Sequence, residues 1–304
     1  MDSQPATVPE SLRDASPGAW LKPLIDVQWH DMHAVVPRGF PAYVRIFHPT
    51  ERDRPLDTKT WHGHDLTAMV DMEQRQVGWS AVAQAFGKQM HALAQFHRLV
   101  GPETAKLGPL DAAGWRYSKP EVGNLAQGVL AKVAAHLCEH TTTPERGVTA
   151  IWEGWGGLTS SSGYVELSIA DGGVQHHFGG GFEAPNAEPG TGLLPAEVVN
   201  GEKLELPGRS YFLFNAGASF YTDPAWVDHV PWHHTRQWPQ SPSILWPQDQ
   251  KWVLVSEIDF DSTIVAGSWE LISALAQDPD IEALVLREGA DLTWDADVPN
   301  RSVV

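Results

Sequence analysis

Strand-forming and helix-forming patterns occupy different parts of this chain, and that separation limits the fold more than any other feature. Residues 148–153, 210–214 and 251–259 are short apolar or alternating runs typical of β-strands. In residues 124–139, and in a stretch ending at Phe86, apolar positions recur at three- and four-residue steps typical of helices. The sequence therefore predicts an α+β fold with a largely antiparallel sheet, whose helices are segregated before residue 148 and near the C-terminus.

The same patterns predict the domain organisation. Residues 1–22 are polar and rich in Pro, Ser and Asp, and we expect them to form a flexible N-terminal arm. Residues 23–304 are expected to form a single α+β domain, because 42% of the chain is hydrophobic; the length of 304 residues is at the upper edge of what one core supports, so two intimate domains are the alternative. The charged residues 50–76 are expected to form a loop or a poor helix. The expected parts are a helical part (about 60–143), a β-rich part (about 148–262) and C-terminal helices within 268–286, at 268–276 and 279–286.

The charge of the chain disfavours two classes of partner. It carries 38 acidic and 21 basic side chains, a formal net charge of −17. Phosphate backbones and anionic lipid surfaces repel such a protein, so we expect neither nucleic-acid nor membrane partners. A cytoplasmic location is predicted, because neither a signal-peptide pattern nor an apolar run of roughly 20 residues is found. The single cysteine, Cys138, excludes an intrachain disulfide and a multi-cysteine zinc site.

The last strand-like segment carries three alternating carboxylates, Glu257, Asp259 and Asp261. Residues two apart in a strand point to the same face, so these side chains are expected to converge. Convergent carboxylates suit acid–base catalysis, for which we predict Glu257 and Asp259, or a divalent metal, for which we predict Asp259 and Asp261. No other cofactor is identified. The alternative is that the chain leaves the strand here and that the carboxylates cap a turn beside Ser262 and Thr263.

Tryptophan is unusually frequent, with 14 residues against 5 tyrosines. Its large ring and single N–H group favour half-buried positions or the wall of a cleft. Trp152 and Trp155 flank Glu153, which becomes a third predicted catalytic carboxylate because desolvation beside indoles would raise its pKa. Together with Trp232 and Trp246, these two tryptophans are predicted to line a ligand-binding cleft. The alternative is that the rings belong to an ordinary core.

Several short blocks occur along the chain in a specific order. They are Pro37–Phe40 with Tyr43–Pro49, His140–Pro144, Trp152–Gly156, Leu206–Tyr211, Ser241–Ser243 with Trp246–Pro247, and Glu257–Thr263. In this succession, over residues 35–300, the chain resembles an uncharacterised family of actinobacterial proteins. It departs from the family pattern at Gly147–Ala150, where relatives often hold cysteine and aromatic residues. The resemblance implies one shared architecture, and it implies no activity, ligand or catalytic residue because the family's function is unknown.

Three functions are compatible with these patterns. The first is a cytosolic ligand- or protein-binding module that uses the tryptophan-lined cleft. The second is a carboxylate-based hydrolase, with or without a divalent metal. The third is an immunity-like or regulatory partner that neutralises a basic protein through its acidic surface. Phosphate-loop and Gly-x-Ser-x-Gly motifs are absent from the sequence, which disfavours phosphate-loop nucleotide binding and serine hydrolase chemistry.

Overall fold

The computed structural model describes residues 8–63, 71–101, 108–159, 166–171, 174–179, 191–233 and 240–301, with the backbone alone described at 166–171 and 174–179. The predicted α+β class is confirmed, with 25% helix, 23% strand and a mostly antiparallel sheet.

The strands, in chain order, are β1 (Glu10–Ser11), β2 (Ala42–Phe47), β3 (Thr50–Pro55), β4 (Met72–Val77), β5 (Arg116–Tyr117), β6 (Gly147–Trp152), β7 (Glu166–Asp171), β8 (Val174–Gly179), β9 (Leu204–Leu206), β10 (Arg209–Asn215), β11 (Ile244–Pro247), β12 (Val253–Val255), β13 (Ser262–Gly267) and β14 (Ala283–Leu286). The α-helices are α1 (Trp79–Ala85), α2 (Phe96–Val100), α3 (Gln127–Glu139), α4 (Ala196–Val199) and α5 (Trp269–Gln277). Short 3₁₀ helices cover Ser16–Leu24, Met32–Ala34, Ala218–Tyr221 and Pro224–His229.

Nine of the described strands form the main sheet, in the order β1-β10-β6-β11-β12-β13-β2-β14, with β9 also paired to β10. The pairs between described strands are antiparallel. β2 comes from the N-terminal part of the chain, yet it lies between β13 and β14 from the C-terminal part. A smaller sheet has the order β4-β3-β5, and β7 pairs with β8. Through β2, the N-terminal part of the chain is therefore hydrogen-bonded to the C-terminal part within one sheet.

Both faces of the main sheet are covered. On one face, side chains such as Val44 of β2 pack with Leu137 of α3 and Leu271 of α5, and we call this cluster the first core. On the other face, Tyr43 of β2 packs in a cluster with Leu21 of the N-terminal 3₁₀ helix, and we call it the second core. Because strand side chains alternate between faces, one short strand supplies both cores.

The prediction of a flexible N-terminal arm at residues 1–22 is wrong for residues 8–22, which the structure describes. β1 pairs with β10, and Leu21 of the following 3₁₀ helix is fully buried in the second core. Scattered apolar residues between prolines and serines suffice to attach this segment, because the sheet face beneath it supplies the partners. Residues 1–7 lie outside the described residues.

The segment expected as a loop or poor helix at residues 50–76 instead contains β3 and β4, and the part expected to be helical at 60–143 also contains β5. The guanidinium carbons of Arg52 and Arg54 lie 4.4 and 4.0 Å from the ring centroid of Trp115. The long side chains of these arginines thus cover the apolar ring of Trp115. A search for alternating hydrophobic residues misses such a strand, because arginine does not count as hydrophobic.

The predicted helix at 268–276 is confirmed as α5, but the second C-terminal helix, at 279–286, is wrong because Ala283–Leu286 forms β14. A four-residue apolar run does not distinguish strand from helix by its periodicity. Pairing with the free edge of β2 decides its conformation.

Candidate ligand-binding site

A cavity of about 850 Å³, called here the cleft, opens between segments that are distant in sequence. Its walls come from residues 95–101, 119–122, 259–261 and 292–300, with Trp29 at its edge and Arg45 among its lining residues. These segments are irregular or very short elements outside the centre of the main sheet. Irregular segments held by a rigid scaffold are a common setting for binding sites.

The connection from β12 to β13 forms one wall. β12 ends at Val255, and the N–H of Phe260 donates to the carbonyl of Glu257 at 2.9 Å, which closes a turn. The N–H of Gly123 then donates to the carbonyl of Phe260 at 2.8 Å. The predicted ladder of carboxylates on one strand face is therefore wrong, and the chain turns here, as the alternative expected; the side chains of Asp259 and Asp261, however, pair with Arg209 and Arg45, and no described contact shows them capping the turn.

A fully buried carboxylate, Asp297, makes several of the contacts that hold residues 292–300, called here the C-terminal wall. It accepts hydrogen bonds from His91 Nε2 at 2.8 Å, the N–H of Gln95 at 3.0 Å, and the N–H of Asn300 at 3.1 Å, with the Asn300 side-chain amide as a further donor. Burial opposes ionisation, but the hydrogen bonds from Asn300, Gln95 and His91 outweigh it and lower the pKa of Asp297. This carboxylate therefore fastens residues 292–300 to the segment that begins α2.

Arg45 lies between the main sheet and the cleft, with 2% of its surface exposed. Its Nε donates to Ser262 Oγ at 2.8 Å and its Nη1 to the carbonyl of Ala94 at 2.8 Å. Its Nη2 lies 3.4 Å from Asp261 Oδ1. Burial lowers the pKa of Arg45 to about 10, so it stays charged at neutral pH. Burial also raises the pKa of Asp261, an effect that Arg45 opposes.

Two aromatic contacts shape the edges of the cleft. Trp29 meets Phe260 edge to face, with ring centroids 5.8 Å apart and planes at 82°. The His97 ring stacks on Trp294, with centroids 3.5 Å apart and planes at 7°. Trp29 is 45% exposed and Trp294 is 67% exposed, so each ring retains accessible surface. Burial and the neighbouring Arg98 lower the pKa of His97, which favours the neutral ring.

A second hollow of about 320 Å³ shares Trp29, Asp259 and Phe260 with the cleft. In it, Arg209 Nη2 donates to Glu257 Oε1 at 2.9 Å and to Asp259 Oδ2 at 2.7 Å. Burial raises the pKa of Glu257, and Arg209 opposes that rise. The turn that carries Phe260 thus separates two adjoining cavities.

The predicted catalytic carboxylates are only partly brought together. Glu257 and Asp259 share Arg209, whereas Glu153 accepts a hydrogen bond from Lys203, whose ammonium lies 5.3 Å from the Phe212 ring of the first core. Glu153 therefore pairs with Lys203, whereas Glu257 and Asp259 pair with Arg209. The described contacts do not bring the three carboxylates together at one cation.

The four predicted cleft tryptophans do not line one cleft. Trp232 is buried in the first core and Trp246 in the second, on opposite faces of the main sheet. Trp152 and Trp155 are half-buried and meet edge to face at 5.9 Å, but they pack against different cores. Ring size and hydrophobicity thus place these side chains in or beside ordinary cores, which is the alternative weighed above.

The predicted metal ligands Asp259 and Asp261 each face an arginine, Arg209 and Arg45 respectively. Among the residues that the structure describes, no group of three or more His, Cys, Asp or Glu side chains is placed to hold a metal ion. A pair of carboxylates directed at separate guanidinium groups does not form the convergent oxygen cage that Mg²⁺ or Ca²⁺ requires.

Sequence patterns identified Asp259 and Asp261 as site residues but missed Trp29, Gln95 and Trp294. One signal was present in the sequence, because Trp29 and Trp294 each stand in a polar, irregular stretch where no core face is predicted. Tryptophan combines a large apolar ring with one N–H donor and is enriched at binding surfaces, so a tryptophan in such a stretch is a candidate for ligand contact.

Comparisons of the chain with protein-family models, with curated proteins and with solved structures found no match. The resemblance to an actinobacterial family therefore stays a prediction. Within the described ranges, none of the helices has the length and apolarity needed to cross a bilayer.

Proposed function

We propose that this protein is a binding module for a small organic molecule, which it holds in the cleft with a flat apolar part against tryptophan. The observation that carries the proposal is the exposure of Trp29 and Trp294 at a cavity of about 850 Å³. Cavities that enclose small ligands span roughly 300–1,000 Å³ and combine apolar walls with a few polar groups.

The lining of the cleft has the chemistry that such a ligand needs. Phe96, Phe260 and Leu292 supply apolar surface beside the two tryptophans. Aromatic ligands gain from offset or edge-to-face contacts with such rings beyond the burial of area.

The charge of the cleft differs from that of the whole chain. Three cationic side chains, Arg45, Arg98 and Lys119, and two carboxylates, Asp259 and Asp261, contribute to its lining. The chain as a whole has a formal net charge of −17. An anionic ligand is therefore less disfavoured in the cleft than elsewhere on the surface, and a neutral ligand is not affected by the net charge.

Calorimetric titration with 2-naphthylmethanol, a flat and neutral probe, tests the proposal. Trp294→Ala and Trp29→Ala should each weaken binding about 2- to 10-fold, which is the value of one aromatic contact. Trp269→Ala is the matched control, because Trp269 is also exposed (57%) but lies at the start of α5 and does not line the cleft. Absence of binding by the unmodified protein, or an equal loss in the Trp269 variant, would contradict the proposal.

A further inference from the structure

One face of the smaller sheet gathers three arginines around a single indole. Arg52 of β3, Arg54 of β3 and Arg75 of β4 have their guanidinium carbons 4.4, 4.0 and 5.5 Å from the ring centroid of Trp115. Arg52 and Arg75 also stand directly opposite each other in the β3–β4 pair. Like charges directly opposite destabilise a sheet. An anion beside this face would therefore relieve a repulsion that the strand pairing creates.

A fourth cation, Lys59, joins this face at the carboxylate of Glu73. Lys59 Nζ lies 3.3 Å and Arg54 Nη2 3.0 Å from Glu73 Oε2, and Arg75 Nη2 lies 2.5 Å from Oε1. Burial opposes the ionisation of Glu73, but hydrogen bonds from the three cations outweigh it and lower its pKa to about 2. Glu73 is therefore ionised at neutral pH, and its single negative charge is shared among three positive ones.

The remaining arginine finds a neutral partner first. Arg52 Nη1 donates to Tyr117 Oη at 3.2 Å, and Tyr117 Oη donates to Asp111 Oδ2 at 2.9 Å. Asp111 is buried and also accepts the backbone N–H groups of residues 113 and 115. Positive charge therefore exceeds negative charge in the group that we call the basic patch, which consists of Arg52, Arg54, Lys59, Arg75 and Glu73.

Solvent reaches the cations at the outer edge of the basic patch. The side chains of Arg75 and Lys59 are 56% and 51% exposed, and that of Arg54 is 21% exposed. No member of the basic patch lines the cleft. An anion from solution can therefore approach Arg75 and Lys59 without opening the fold.

The backbone at Lys59 is fixed in an uncommon conformation. Its φ is +59°, and among the described residues only one other non-glycine residue has a positive φ. The N–H of Lys59 donates to the carbonyl of Pro55 at 3.0 Å, and its carbonyl accepts from Arg54 Nη1 at 3.3 Å. Residues held in the left-handed region are concentrated at functional sites, where the surrounding structure supports them. The turn thus places the Lys59 side chain beside Arg54 before any ligand binds.

The charge of the whole chain favours a small anion over a large one. A polyanion extends beyond the basic patch and is repelled by a protein of formal net charge −17. A compact anion responds mainly to nearby charges, because salt screens exposed charges beyond about 8 Å at physiological ionic strength. Glu73 supplies only one negative charge, so a more highly charged oxyanion suits the excess. Guanidinium and ammonium groups are the usual donors to phosphate oxygens.

We propose that the basic patch binds the phosphate group of a small molecule, with Lys59 and Arg75 as the groups that contact its oxygens. Arg52 and Arg54 contribute positive charge from beneath. This site is separate from the cleft, so the inference stands or falls independently of the proposed function. Inorganic phosphate and a small phosphate monoester carry the same group, and they are compared in the test.

Calorimetric titration of the full chain with inorganic phosphate, at constant ionic strength, tests the inference. Lys59→Gln and Arg75→Gln should each weaken phosphate binding about 3- to 10-fold, which is the value of one charge-assisted hydrogen bond at an exposed site. Lys132→Gln and Arg38→Gln are the matched controls and should leave binding unchanged. Their side chains are 46% and 45% exposed and are likewise paired with a carboxylate.

Glu73→Gln provides a variant with the opposite expected sign. It removes the negative charge nearest to the bound phosphate, so binding should become about threefold tighter or more. Its melting temperature reports whether it folds, and the Lys59 and Arg75 variants keep the test open if it does not.

Three further probes define the ligand. Acetate should bind about fivefold more weakly than phosphate, because it carries less charge. Tighter binding of glycerol 3-phosphate than of inorganic phosphate would assign the group to a monoester, and the reverse would assign it to the free ion. Absence of phosphate binding, equal losses in the control variants, or tighter binding of a short single-stranded DNA than of either phosphate compound would overturn the inference.

Discussion

Asp297 offers the sharpest test of how this site is held together. It is fully buried and accepts hydrogen bonds from His91, from the backbone and side chain of Asn300, and from the backbone of Gln95. Asp297→Ala leaves the two backbone N–H groups buried without an acceptor, at about 1–3 kcal/mol each. It also removes a buried charge from its partners. Because such losses are not additive, we expect the free energy of unfolding to fall by about 3–5 kcal/mol.

Urea unfolding followed by circular dichroism measures this change. Asp295→Ala is the matched control, because Asp295 lies two residues away, is 71% exposed in its side chain, and pairs with Arg98. An exposed pair contributes little, so this variant should lose less than about 1 kcal/mol. If Asp297→Ala also stays within about 1 kcal/mol of the unmodified protein, Asp297 does not hold the C-terminal wall and the account of the cleft fails.

Two further predictions concern the elements around the cleft. Burial lowers the pKa of His48 from 6.5 to about 4, so the unfolded chain takes up this proton first, and stability should fall by on the order of 3 kcal/mol as pH falls from about 6.5 to 4. His48→Gln should flatten that part of the stability curve, and an unchanged slope in urea titrations would contradict the assignment. Gly123 has φ of +69°, and an added Cβ would lie 2.6 Å from Ile258 Cα, whereas Gly208 has φ of +76° with open space around it. Gly208→Ala should therefore cost about 1–2 kcal/mol and Gly123→Ala about 1–3 kcal/mol more, and equal melting temperatures would refute the difference.

The fold class and several elements were predictable from local pattern. α3 and α5 have apolar faces at helical spacing, and β6 and β10 are runs rich in strand-forming residues, so each carries its own signal. β14 was mistaken for a helix because a short apolar run depends on its neighbour, here β2, for its conformation. The intrinsic β-propensity of a segment is a weak guide to its conformation where pairing with a distant strand decides that conformation.

The site was predictable only in part, for a related reason. Asp259 and Asp261 are close in sequence and were identified as site residues, but their roles depend on Arg209 and Arg45, which no local spacing connects to them. Gln95 and Trp294 meet in the cleft through the hydrogen bonds of Asp297, across about two hundred residues. A single sequence contains no periodic pattern that records such a contact.

The place of β2 in the sheet has a consequence for synthesis on the ribosome. Its six residues are all buried in the folded protein, and its Arg45 bonds to Ser262, which is 217 positions later in the chain. Because translation adds roughly 5–20 residues per second, about 10–40 s pass between the synthesis of β2 and that of its sheet neighbours. During that interval the nascent chain presents a strongly apolar segment to the surrounding solvent. Chaperones that shield nascent chains should therefore have a larger influence on the yield of this protein than on that of a fold whose neighbouring strands are made in succession.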